Sequence, residues 1–149
     1  MTNDILVLIA AYLSAARRAV ALLQVHFRTT ALLEAIHKDR ERREGAIDST
    51  TTYSFHGVGC QVTMGETTVD FDFGPDGTVG GFDAWRLWLF AERDPRHFSQ
   101  WKSRVQIDEA LQRIHAQGLI ALPRTNPSPH LYYATREGER AIAEAESVE

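Results

Sequence analysis

Between Val58 and Phe73 the apolar residues fall on every second position, twice over. Val58, Cys60, Val62 and Met64 form the first run, and Val69, Phe71 and Phe73 the second. A period of two places each set on one face of an extended strand. Gln61 and Thr63, and then Thr68, Asp70 and Asp72, take the other face. Gly65-Glu66 between the runs is short enough for a hairpin loop. Thr52-Tyr53-Ser54-Phe55 alternates in the same way, and His56-Gly57 supplies a turn or bulge before the first run. The stretch predicts a three-stranded antiparallel meander, apolar on one face and polar on the other. The rest of the chain must cover the apolar face.

Helices supply that cover. Ile5, Leu8, Ile9, Tyr12, Leu13, Ala16, Val20 and Leu23 recur at the spacing of one helix face. They predict a long helix over 4–38, or two with a break near Thr29-Thr30, with Asn3 as its cap. Gly74-Pro75-Asp76-Gly77 is a turn, and Gly80-Gly81 breaks the pattern again. A Trp-rich helix follows from Phe82 to Arg93, with Phe82, Trp85, Trp88 and Leu89 as its buried side and Pro95 past its end. Farther on, Ile107, Leu111 and Ile114 mark an amphipathic helix ending at Gly118. Two short strands, Leu119–Leu122 and Leu131–Ala134, flank a loop from Pro123 to Pro129, and Thr135 caps a last helix. Helix, two strands and helix make the outline of a winged-helix module. The fold class is α+β in a single domain over 1–149: helical over 1–45, sheet plus helix over 51–95, winged-helix-like over 101–149.

Charge narrows the function. The chain of 149 residues carries a formal charge of −4. Residues 51–100 hold seven acids against three bases, and no third of the chain has the basic surplus that phosphate-backbone binding favours. The one cysteine permits no intrachain disulfide, which suits a reducing compartment. The apolar run Ile5–Ala16 follows Asp4 and precedes Arg17-Arg18, the reverse of a secretory signal, and is too short to span a bilayer. A cytoplasmic protein without a membrane partner is expected.

Several residue groups invite chemistry. His56 and Cys60 could pair as base and nucleophile or ligate a metal, but a lone cysteine between valines more often packs as a small hydrophobe. Asp70 and Asp72 share a strand face, where they could hold a cation, act as an acid/base pair, or simply face water beside Arg86. Asp72–Asp83 imitates a calcium loop but has Gly74 at the third ligand position and a strand in place of the entering helix. Asp83 and Arg86, three apart at a helix start, fit a local pair, although an arginine among aromatic residues could also grip an anion. The mixed run KDRERRE over 38–44 reads as a solvated helix end. No cofactor or metal is expected.

Three segments stand out together: Phe55-His56-Gly57-Val58-Gly59-Cys60, then Val69-Asp70-Phe71-Asp72-Phe73-Gly74-Pro75, then Gly81-Phe82-Asp83-Ala84-Trp85-Arg86-Leu87. In that order they resemble a family of small bacterial proteins known as a domain of unknown function. The resemblance implies a gene placed near secreted toxins, and hence a cytoplasmic immunity protein that binds and blocks a toxin without catalysis. Asp70, Asp72, Asp76 and Asp83, with Arg86 beside them, would then face a basic partner. One alternative is a winged-helix transcription regulator. The other is a small hydrolase or metal enzyme using His56, Cys60, Asp70 and Asp72. The long apolar first helix could also serve a homodimer.

Overall fold

In the computed structural model, which describes residues 2–27, 43–56, 59–74, 76–122 and 131–147, the chain opens with a 26-residue helix, α1 (Thr2–Phe27). The three-and-four stripe is real: Ile5, Leu8, Ile9, Tyr12, Ala16 and Leu23 are buried, while Arg17 and Arg18 are exposed. The helix starts at Thr2, so Asn3 stands inside its first turn instead of capping it. By length and composition α1 could cross a membrane, but its apolar stripe is buried inside the protein. The expected break at Thr29-Thr30 lies outside the described residues.

The chain divides into two units, one of Ser14–Gly80 and one of Met1–Leu13 with Gly81–Glu149. In the first, an antiparallel sheet runs in sequence order through β1 (Arg43–Ala46), β2 (Thr51–His56), β3 (Gly59–Met64) and β4 (Thr67–Asp72). The meander is as the alternation requires. Phe55 stands opposite Cys60 and Cys60 opposite Phe71, while Tyr53, Val62 and Val69 form the next row of the apolar face. Phe27 closes on this face, with ring centroids 5.2 Å from Tyr53 and 5.7 Å from Phe55. The Gly65-Glu66 hairpin has Gly65 at φ 64°, where glycine carries no steric penalty.

One strand was not foreseen. Arg43–Ala46, expected as a charged helix end running into a polar connection, pairs with β2 as an edge strand. Gly45 suits the place, because a Cβ there would overlap the Tyr53 hydroxyl and stand 2.7 Å from the ring carbon that bears it. The end of the Tyr53 side chain therefore takes the space that a side chain at position 45 would need. Residues 38–42 of the charged run lie outside the described residues.

In the second unit, α2 (Ala84–Glu92), α3 (Pro95–Phe98) and α4 (Arg104–Ala116) are followed by β5 (Ile120–Ala121), β6 (Tyr133–Ala134) and α5 (Arg136–Ser147). This is the helix, ribbon and helix order read from the sequence; the Pro123–Pro129 loop lies outside the described residues. Helices α2 and α4 pack together. Ile107, Ala110, Leu111 and Ile114 are buried on α4, and Tyr12 of α1 meets Phe90 of α2 edge-on at 5.9 Å. Helix α4 ends in a Schellman motif. Leu119 N–H donates to the Ile114 carbonyl at 3.1 Å and Gly118 N–H to the His115 carbonyl at 3.0 Å, with Gly118 at φ 79°. Thr135 caps α5: its hydroxyl accepts from Gly138 N–H at 3.1 Å and lies 2.6 Å from the Gly118 carbonyl, to which it donates. One threonine thus joins the end of α4 to the start of α5.

The buried side of α2 differs from the expected one. Phe82 is buried, but it precedes the helix and forms a backbone bridge with Tyr132, at 3.0 Å and 2.7 Å. The helix itself begins after Asp83, its N-cap. Leu87, Phe90 and Ala91 then face inward at three-and-four spacing. Trp85, two residues before Leu87 and so about 200° around the helix, is 49% exposed. Trp88 and Leu89 are half-buried.

Candidate functional site

The residues singled out in the sequence fall in both units. Asp70, Asp72 and Asp76 belong to the sheet unit, Asp83 and Arg86 to the helical unit. On the polar sheet face, Gln61 Nε2 donates to Asp70 Oδ1 at 3.2 Å, and the hydroxyls of Thr63 and Thr68 meet at 3.1 Å. Asp76 closes its own turn, accepting from Thr78 Oγ1 at 2.6 Å and Thr78 N–H at 3.2 Å. Those bonds hold its carboxyl below the usual range. Asp83 is engaged at both oxygens. Its Oδ1 accepts from Arg86 N–H at 2.8 Å as the cap of α2, and its Oδ2 takes the Arg86 guanidinium at 2.6 Å. Asp83 and Arg86 therefore neutralise each other within one helical turn.

Cys60 is only 4% exposed, beside Phe55 and Phe71 in the register. Burial, and next the charge of Asp70, push its thiol well above the ordinary value. That is the reverse of what a thiolate nucleophile needs. The register sets His56 opposite Gly59, one step away from the Phe55–Cys60 pair. Among the described residues no group of three or more histidine, cysteine, aspartate and glutamate side chains could hold a metal ion.

A different site lies in the helical unit. The Phe82–Tyr132 bridge fixes Tyr132 beside the first turn of α2, where Asp83 and Trp85 stand. The N-terminus of α4 brings Arg104 and Asp108, and the end of β5 brings Leu122. Together they line an open cleft of about 340 Å³. Its apolar part is unusual, because Trp85 is 49% and Leu122 41% exposed. Large apolar side chains clustered at a surface mark interaction sites more often than isolated ones do. Its polar part is ordered. The Arg104 guanidinium lies over the Trp85 ring, 5.5 Å from the centroid, and Gln112 Nε2 donates to Asp108 Oδ2 at 2.9 Å. Tyr132 packs edge-on against His115 at 5.4 Å, and burial followed by the Asp108 charge raises its phenol above the usual value, so it stays a donor.

Residues 5–134 match the family described as a domain of unknown function, DUF6896. The chain belongs to that family. No curated protein and no solved structure matches the chain. The DUF6896 match runs from α1 to β6 and so contains every residue lining the cleft, whereas α5 follows it. Sequence reasoning missed the cleft because it buried Trp85. The available signal was Asp83, which as an N-cap starts α2 at Ala84 and turns Trp85 outward.

Proposed function

We propose that this chain is a non-enzymatic protein-binding module whose partner anchors on the Trp85 cleft. The observation that carries the reading is a half-exposed tryptophan with an arginine stacked over it, in an open cleft shared with Tyr132. Trp, Tyr and Arg are the residues in which binding hot spots are richest, because each gives much contact area for little lost freedom. Arg104 stacked on Trp85 is already ordered, which lowers the entropy that association costs. Such a module fits a bacterial immunity protein that neutralises a toxin, acting in the cytoplasm without a cofactor. The test is co-expression with the neighbouring genes. Growth rescue from a toxic neighbour, with recovery of a one-to-one complex, supports the reading; a toxic neighbour left active beside abundant folded protein overturns it.

A second reading draws on the helix, ribbon and helix order of 104–147: contact with DNA through α4. Arg104, Arg113 and His115 are exposed there, but Glu109 is exposed among them. The first reading is better supported, because Arg104 lies against Trp85. Salt-dependent retardation of upstream DNA by the purified protein would reverse that order.

A further inference from the structure

The cleft carries two charges of opposite sign that are unmatched among the described residues. Arg104 and Asp108 are four residues apart on α4 and so occupy neighbouring places on one helix face. They do not bond each other. The guanidinium is held over Trp85, and one oxygen of the carboxylate accepts from Gln112. Among the described residues neither forms an ion pair. Asp83, which also lines the cleft, is paired with Arg86 at 2.6 Å. The exposed apolar surface of Trp85 and Leu122 lines the same cleft, with Tyr132. The volume, about 340 Å³, is at the small end of ligand sites (roughly 300–1,000 Å³). It suits one large side chain.

We propose that this cleft reads a segment of a protein partner bearing one large apolar side chain between an acid and a base. The apolar side chain covers Trp85 and Leu122, the acid meets the Arg104 fork, and the base meets Asp108. Charge complementarity selects this occupant: a purely basic segment would face Arg104 unpaired, and a purely acidic one would face Asp108, and each unpaired charge at an interface counts against binding. The inference rests on the protein-binding reading and adds the chemistry of what is bound.

Random peptides displayed on phage, panned on the full chain and counter-screened on the Trp85→Ala chain, test both levels. The expected result is a set of Trp85-dependent peptides with an aromatic or long aliphatic residue flanked by one acid and one base. Arg104→Glu, checked for folding by circular dichroism, should weaken a selected peptide about tenfold. Panning on that variant should return a base where the acid stood. Trp85-dependent peptides without the paired charges overturn this inference and leave the binding reading standing. No Trp85-dependent peptide at all overturns both. Self-association in sedimentation velocity that Trp85→Ala abolishes gives the cleft to a second copy, and likewise overturns the inference.

Discussion

Gly138 sits in the first turn of α5, pressed against the backbone of Leu119. A Cβ there would overlap the Leu119 carbonyl oxygen and stand 2.8 Å from its carbonyl carbon. The obstacle is backbone, and it is held. The same carbonyl accepts from Thr135 N–H at 3.0 Å and lies 3.1 Å from the Thr135 hydroxyl. Gly138→Ala must therefore push α5 off the turn after α4 and weaken the Thr135 cap. Overpacking of this kind costs about 1–3 kcal/mol, and a lost cap about 1 kcal/mol. Alanine returns about 1 kcal/mol through its better helix propensity. The net destabilisation is about 1–3 kcal/mol, which for a chain of this length lowers Tm by roughly 2–12 °C. Thermal unfolding followed by circular dichroism reads it directly. Gly65, with nothing within 4 Å of its Cβ position, is the control: Gly65→Ala carries only the left-handed backbone cost of about 1–2 kcal/mol. An unchanged or raised Tm for Gly138→Ala would refute the close-packed joint.

Other expectations concern the cap, the buried thiol and the exposed tryptophan. Asp83→Ala removes the α2 cap and should cost about 1 kcal/mol in urea unfolding, whereas Asp83→Asn, which keeps the acceptor, should cost less. Native Cys60 should react with a thiol reagent only as fast as the protein unfolds, and rapid labelling would contradict its burial. Because its folded pKa lies above the 9.0 of an exposed thiol, Cys60 contributes stability that is complete below pH 9.0 and lost as pH rises through the folded value. Cys60→Ala should flatten that alkaline loss of stability, and an identical pH profile would count against it. Trp85→Ala should cost at most about 2 kcal/mol of stability, since half of the side chain is already in water. A collapse of the fold would show that Trp85 is core.

The sheet was legible because period-two alternation leaves one register that buries Phe55, Cys60, Val62, Val69 and Phe71 together. Gly118 and Thr135 were legible for local reasons: each acts through backbone bonds within a few residues or to an adjoining turn. Strand β1 was hidden, since Arg43 and Glu44 carry no strand preference and the space that Gly45 leaves for the end of Tyr53 shows only once the two strands pair. The cleft was hidden for a deeper reason. Its frame is the Phe82–Tyr132 bridge, a pairing between residues fifty apart in the chain, which joins the Asp83 cap in keeping Phe82 out of the helix. Once Phe82 is outside, the inward stripe starts later and Trp85 faces water. The acids singled out from the sequence were placed on their elements correctly, but Asp76 and Asp83 turn out to serve their own turn and helix.

The most direct measurement titrates the protein recovered by co-expression into wild-type and Trp85→Ala chains by calorimetry. If the cleft anchors the partner, removing the indole should weaken Kd by about thirtyfold or more, the hot-spot threshold of about 2 kcal/mol, with both chains equally folded. Equal affinity for the two chains would contradict the account and move the binding face elsewhere, with Asp70 and Asp72 on the sheet the next to be changed.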